Sequence, residues 1–189
     1  MSWTVLIPVR APGKARLARG PEFARAIALD TIEAAVAGGP EVVVVTADAA
    51  LAASATSLGA RVVLEPAPSG LAAAIDLGLS DDGSRAVLLG DLPALDAADL
   101  VAALERASAL ERAFVPDADG TGSTLVTARG GAPFVHAFGP GSAQAHRDLG
   151  LVELTLPAES SLRRDVDLEE HLLLVREHLG PRTRSALAV

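Results

Sequence analysis

The chain has 189 residues, half of them hydrophobic and 3% aromatic, and carries a net charge of −8. The negative charge argues against a nucleic-acid partner, and the absence of cysteine excludes disulfides, thiol catalysis and cysteine-ligated metal centres. No uncharged apolar stretch reaches the ~18 residues that a membrane span needs, and no basic leader precedes the first predicted strand. These features predict a single domain over residues 1–189 of a cytoplasmic protein.

Apolar runs alternate with helical periodicity in the first half, a pattern typical of βαβ units around a parallel sheet. The predicted strands are 3–9, 41–46, 60–64 and 85–89, and the predicted helices are 21–37, 49–58, 71–79 and 96–107. Asp96 is placed to cap the last of these helices. Because the strands are mostly apolar, we expect a three-layer α/β/α, Rossmann-like fold with a mostly parallel central sheet.

The second half has shorter apolar segments and is expected to extend one edge of the same sheet. Strands are predicted at 112–116, 125–128 and 151–156, and helices at 142–149 and 168–179. Asp167 is a candidate cap for the last helix, with Glu170 completing a capping box. The Arg-rich tail, residues 181–189, is predicted to be frayed and flexible.

Three aspartates are candidate metal ligands. Asp91 directly follows the apolar run 86–89 and Gly90, and the carboxyl ends of parallel strands are where such sheets bind ligands. Asp165 and Asp167 are two residues apart in an extended segment, so their side chains share a face. Converging carboxylates suit Mg²⁺, which prefers oxygen ligands. The competing interpretation is a turn residue at 91 and an ordinary helix cap at 167.

A basic loop follows the first strand. Residues 1–25 carry a local charge of +4, and Lys14 is the only lysine beside 15 arginines. Arg10, Lys14 and Arg16 around Gly13 could bracket a nucleotide triphosphate, with Lys14 as a compact charge for phosphate. Because the loop matches neither a Walker A nor a Rossmann glycine motif, a solvated basic surface remains the alternative.

Two glycine-rich turns are candidate sites for a small anionic substrate. Residues 120–124 (Gly-Thr-Gly-Ser-Thr) offer backbone N–H groups and three hydroxyls. Residues 138–142 (Phe-Gly-Pro-Gly-Ser) lead into a helix, and helix N-termini attract phosphate or carboxylate. Both could instead be ordinary tight turns. His136 is predicted to be a core residue, whereas His146 shares a helix face with Ser142 and could line the site.

Several segments resemble one known family, in the same order and over nearly the whole chain. They are WTVLIPVR with GKARL, GDLPAL, PDADGTGSTL, FGPGS with a following histidine, and DVDLEEHL. Together they resemble the guanylyltransferases that act on phosphoenolpyruvate or 2-phospho-L-lactate in biosynthesis of the deazaflavin coenzyme F-420. The fold of that family is GT-A-like and is similar to the folds of nucleotide-sugar pyrophosphorylases and of the molybdenum-cofactor guanylyltransferase.

The resemblance implies transfer of GMP from GTP to the phosphate of phosphoenolpyruvate with Mg²⁺, or to 2-phospho-L-lactate or 3-phosphoglycerate as alternative acceptors. The Ala- and Arg-rich composition, which looks actinobacterial, favours phosphoenolpyruvate. The product would pass to a downstream transferase, and the protein would be a monomer or homodimer. The alternatives are another nucleotidyltransferase of the same fold that acts on a sugar phosphate or a cofactor, and a non-catalytic nucleotide-binding protein.

The same resemblance implies roles for particular residues. Asp91, Asp165 and Asp167 would hold the metal, and Lys14 and Asp91 would be catalytic. The nucleotide would contact Arg10, Gly13, Lys14, Arg16 and Gly70, and the phosphorylated acid would contact Thr124, Gly139 and Ser142. Two positions depart from the family pattern: Arg10 stands where lysine is common, and Ala72 stands where asparagine is common.

Overall fold

The computed structural model describes residues 2–9, 19–68, 70–80 and 82–188. These residues form a mixed α/β fold around a seven-stranded sheet with the order β3-β2-β1-β4-β6-β5-β7. The strands are β1 (Trp3–Val9), β2 (Glu41–Thr46), β3 (Arg61–Leu64), β4 (Ser84–Leu88), β5 (Arg112–Pro116), β6 (Ser123–Ala128) and β7 (Val152–Glu153). The helices are α1 (Gly20–Ala37), α2 (Ala49–Ser57), α3 (Leu71–Gly78), α4 (Ala97–Ala107), α5 (Ser142–Asp148), α6 (Glu169–Val175) and α7 (Pro181–Leu187).

The sheet is mostly parallel, as predicted. Strand β1 pairs in parallel with β2 and β4, and β2 pairs in parallel with β3. Strand β6 runs antiparallel to both β4 and β5, and β5 pairs in parallel with β7. The strand predicted over 151–156 is shorter than expected, because only Val152 and Glu153 pair with β5 at the sheet edge. The flanking Leu151 and Leu154 are buried.

Helices cover both faces of the sheet, which confirms the three-layer prediction. Val5 and Ile7 of β1 pack into the apolar cluster that α1, α2 and α4 share, whereas Leu6 faces the cluster of α3. Alternate residues of one strand therefore fill two cores, which explains why the centre of the strand is an unbroken apolar run. The side chain of Asp96 accepts a hydrogen bond from Ala98 N–H and caps α4, as predicted. Within the described ranges, no helix combines the length and apolar character needed to cross a membrane.

The C-terminal tail corrects a prediction. Residues 181–187 form helix α7 instead of a frayed end, and α7 packs on α1. The buried Asp30 carboxylate of α1 accepts hydrogen bonds from the backbone N–H groups of Arg182 (3.2 Å) and Thr183 (2.7 Å). These are N–H groups that a helix start leaves without an intrahelical partner. Gly180 lies so close to the Asp30 carboxyl group that no side chain fits there.

Candidate active site

A cleft of about 910 Å³ opens at the carboxyl edge of β1 and β4. One wall comes from α1 and the start of α3, and the other comes from the turns around residues 117–123 and 138–142. Asp91, Asp165 and Asp167 lie in the cleft. A smaller cavity of about 390 Å³, beside Trp3 and Glu41, contains no predicted site residue within the described ranges. The larger cleft is therefore the candidate active site.

The three predicted carboxylates come together in this cleft. One oxygen from each of Asp91, Asp165 and Asp167 lies within 4.8 Å of the others. The backbone explains the convergence: Val166 N–H donates to the Asp91 carbonyl oxygen at 2.9 Å, and the Val166 side chain is buried. Since side chains of an extended segment alternate, burying the valine turns both flanking carboxylates the other way.

The interpretation of Asp167 as a helix cap is wrong. Helix α6 begins at Glu169, and its N-cap residue is Leu168, whose side chain forms no cap hydrogen bond. The Asp167 N–H instead donates to Nδ1 of His171 at 3.3 Å. The helix predicted over 168–179 is also shorter, because a 3₁₀ turn over Arg176–His178 follows α6. The Asp167 residue lines the cleft.

Asp91 is held by contacts that the sequence did not reveal. The buried Thr31 hydroxyl of α1 donates to the Ile27 carbonyl oxygen at 3.0 Å and accepts from Leu92 N–H at 3.1 Å. Gly90 is pressed against β1, since an added Cβ would lie 3.2 Å from Cγ2 of Val9. The sequence feature that could have indicated this contact is a threonine, Thr31, on the buried face of an otherwise apolar helix.

Negative charge accumulates at the carboxylate cluster. Burial, together with repulsion from Asp117 and Asp167, raises the pKa of Asp165 from 3.8 to about 6. The donor set and the accumulated charge fit a hard divalent cation such as Mg²⁺. Sequence reasoning missed Asp117, whose carboxylate accepts from the N–H groups of Thr121 (2.9 Å) and Gly122 (2.6 Å). Its position before the glycine turn was the signal.

The two glycine-rich turns meet at one wall of the cleft. Ala143 N–H donates to the Thr121 carbonyl oxygen at 3.1 Å, which joins the first turn to α5. Gly139 and Ser142 line the cleft, and Gly139 has a φ of 143° that disfavours any other residue. Thr124 was predicted to contact the phosphorylated acid, but its buried hydroxyl donates to the Leu162 carbonyl oxygen at 2.6 Å. The neighbouring Ser123 lines the cleft instead.

The predicted nucleotide contacts are only partly described. Gly70 lines the cleft at the start of α3 with a φ of 93°. Arg10, Gly13, Lys14 and Arg16 lie outside the described residues. His146, predicted to line the site, is fully buried behind Ser123, and His136 packs between Phe134 and Phe138.

The fold and the carboxylate-lined cleft define a class of enzyme, the nucleotidyltransferases. Comparison with known proteins gives the particular family: residues 14–184 match the MobA-like NTP transferase domain, and the chain belongs to that family.

Curated relatives and a solved structure agree with this assignment. The chain is 40% identical to a phosphoenolpyruvate guanylyltransferase of Streptomyces scabiei, over 100% of the chain and 97% of the relative. It is 41% identical to the enzyme of that name from Sanguibacter keddieii, over 98% of the chain and 84% of the relative. A putative nucleotide-diphospho-sugar transferase from Desulfovibrio desulfuricans G20 has a similar fold (TM-score 0.64, 18% identity, 100% and 95% of the two chains).

Proposed function

We propose that this protein transfers GMP from GTP to the phosphate of phosphoenolpyruvate. A phosphate oxygen of the acid attacks the α-phosphorus of GTP, the bond to the β-phosphate oxygen breaks, and pyrophosphate leaves. The product is enolpyruvoyl-diphospho-guanosine, which a downstream transferase of deazaflavin coenzyme biosynthesis would consume. The same proposal makes the protein a cytoplasmic, single-domain enzyme that acts as a monomer or homodimer.

The observation that carries the proposal is the convergence of three carboxylates within 4.8 Å beside the two glycine-rich turns. The cleft of about 910 Å³ is at the upper end of the range for small-molecule sites, so two anionic substrates can share it. The names of the relatives at about 40% identity support GTP and phosphoenolpyruvate as the pair.

Asp91, Asp165 and Asp167 would hold Mg²⁺, which supplies positive charge for the phosphates of both substrates when bound. The protein supplies positioning. Asp91 stands on the loop that Thr31 fixes, and Asp165 and Asp167 flank the buried Val166. Rigid placement of this kind lowers the entropic cost of bringing two substrates into line.

No general base is required from the protein. A phosphate monoester has a second pKa of about 6, so the attacking oxygen is already deprotonated at neutral pH. The carboxylates can therefore serve as ligands throughout the reaction. Lys14 and the arginines near it, outside the described residues, would neutralise the departing pyrophosphate.

Pyrophosphate release tests the proposal. GTP and Mg²⁺ are incubated separately with phosphoenolpyruvate, 2-phospho-L-lactate, 3-phosphoglycerate and a sugar 1-phosphate. We expect release with phosphoenolpyruvate, and at least a ~100-fold loss of kcat in Asp91→Asn, the scale of removing a key electrostatic group. Asp119→Asn, an exposed carboxylate on a nearby loop, is the matched control and should retain activity.

Each alternative has its own outcome in this assay. Faster release with the sugar phosphate than with any acid would identify another nucleotidyltransferase. GTP binding without release in every arm would indicate a non-catalytic nucleotide-binding protein. Full turnover by Asp91→Asn would contradict the role of the carboxylate cluster.

A further inference from the structure

The hydrogen bonds of His146 determine which ring nitrogen carries the proton. Its Nε2 lies 2.9 Å from the backbone nitrogen of Ala137, and a backbone N–H can only donate. Nε2 is therefore the unprotonated nitrogen, and the ring proton is on Nδ1. Nδ1 lies 2.9 Å from Oγ of Ser123, so the histidine donates this hydrogen bond and the serine oxygen accepts it.

The surroundings of His146 favour this neutral form. The ring is fully buried, with the rings of Phe114 and Phe138 centred 5.4 and 5.3 Å away. Burial, and the nearby His136, lower the pKa of His146 to about 4. His146 therefore stays neutral, with the same two hydrogen bonds, throughout the neutral pH range. A general acid or base would need access to the cleft, which this ring lacks.

Ser123 is left with one free donor that can serve the cleft. Its oxygen accepts from His146, so its own hydroxyl proton must point elsewhere. Among the described residues it makes no other hydrogen bond, and Ser123 lines the cleft. A β-bulge produces this orientation: Val115 pairs with Leu125 but Pro116 pairs with Ser123, which leaves Thr124 as the extra residue.

The bulge decides which of two neighbouring hydroxyls faces α5. Thr124 donates to the Leu162 carbonyl oxygen on one side of the sheet, and Ser123 meets α5 on the other. Only the serine can then donate to a ligand. Without the bulge, strict alternation along β6 would put Thr124 on the face of Val126 and Ser123 on the face of Leu125, so the two hydroxyls would exchange sides.

We propose that Ser123 binds the acid substrate by donating its hydroxyl proton to an anionic oxygen of that substrate, and that His146 is the positioning residue that orients this hydroxyl. The inference rests on the proposed function. It assigns Ser123 to the acid and not to the nucleotide because of the strand order. Ser123 begins β6 beside the turn of Gly139 and Ser142, whereas Gly70 follows β3, with β2, β1 and β4 between them.

Steady-state kinetics on Ser123→Ala test the binding role. A hydrogen bond to a charged oxygen corresponds to about a 10- to 100-fold change in affinity, so KM for phosphoenolpyruvate should rise by that factor. KM for GTP should stay within about twofold, and Ser123→Thr, which keeps a hydroxyl, should recover much of the loss. Unchanged KM for the acid in an active Ser123→Ala enzyme would overturn the inference.

Two substitutions separate positioning from packing at His146. His146→Gln keeps an acceptor near the Nε2 position for Ala137 N–H but loses the donor to Ser123. His146→Asn keeps a donor near the Nδ1 position. We expect a raised KM for the acid in the glutamine variant and a smaller rise in the asparagine variant. His136→Gln, another histidine of the same aromatic row, is the matched control and should leave KM unchanged.

A double-mutant cycle completes the test. If His146 acts through Ser123, adding His146→Gln to Ser123→Ala should raise KM for the acid no further. An equal rise in both backgrounds, or a lowered Tm with unchanged KM, would show a purely structural histidine. Ring ¹⁵N shifts that place the proton on Nε2 would also refute the inference. If the wild-type protein releases no pyrophosphate with any acid, the proposed function is refuted and this inference with it. If the wild type is active but Ser123→Ala leaves KM for the acid unchanged, only the assignment of Ser123 is refuted.

Discussion

Replacing Asp165 with asparagine should stabilise the metal-free protein at neutral pH. The rise in the pKa of Asp165 from 3.8 to about 6 means that ionising this carboxyl group costs free energy in the fold. Each pKa unit is worth about 1.4 kcal/mol, so the ionised group destabilises the protein by about 2–3 kcal/mol. Asparagine has nearly the same shape without the charge. The expected gain in Tm is roughly 5–10 °C for a domain of this size.

The effect has a defined pH dependence. The folded-state pKa of Asp165 is raised, so the folded state binds more protons than the unfolded state between pH 3.8 and about 6. The penalty is absent below the lower of these values and complete above the higher one. Asp165→Asn and wild type should therefore be equally stable near pH 4 and should diverge as the pH rises to about 7.

Thermal unfolding with EDTA, measured from pH 4 to 8, checks this prediction. Asp119→Asn removes an exposed carboxylate outside the cluster and should change Tm little. Added Mg²⁺ with GTP should stabilise wild type more than Asp165→Asn, because a ligand that binds only the folded state adds to stability. A metal-free Asp165→Asn protein that melts at or below the wild-type Tm at pH 7.5 would refute the electrostatic reasoning.

Three further predictions concern buried polar groups. Thr31→Val should cost about 1–3 kcal/mol of unfolding free energy, because Leu92 N–H loses its partner, whereas Thr56→Val on the exposed face of α2 should cost less; equal losses in urea unfolding would contradict this. Asp30→Ala should leave the start of α7 without its cap, with a loss of about 2 kcal/mol or more and faster proteolysis of the C-terminus; an unchanged cleavage rate would count against the cap. The pKa of His146 is lowered to about 4, so its contribution to the free energy of unfolding is complete above pH 6.5 and is lost as the pH falls to about 4. The loss should be on the order of 3 kcal/mol. Unfolding measured against pH checks this, and a wild-type profile parallel to that of His146→Asn would show that the group does not contribute.

Local sequence patterns were sufficient for the parallel half of the fold. Uninterrupted apolar runs, such as the four valines at 42–45, predict strands that are buried on both faces, and the intervening helical periodicity predicts crossovers. The position of Asp91 followed from the same pattern, since a carboxylate directly after a buried strand must emerge at the ligand-binding edge. The spacing of Asp165 and Asp167 likewise predicted a shared face, because alternation in an extended chain is a local property.

Contacts between distant segments could not be predicted in this way. Asp30 caps a helix that begins about 150 residues later, so the tail has no local signal for an ordered start. Thr31 similarly fixes a loop 61 residues away. The sequence established which polar groups the chain contains, but their partners depend on how the helices pack against the sheet.

The orientation of side chains around the cleft was decided in the same way. The sequence by itself determined the order of strands and helices, the acidic residues at the strand end and the two glycine turns. Only the tertiary structure decided that Val166 packs inward, that the bulge in β6 turns Thr124 away from the cleft, and that His146 stands behind Ser123. The physical reason is that a hydroxyl can donate only one proton, and the neighbour that receives it is known only once the chain is folded.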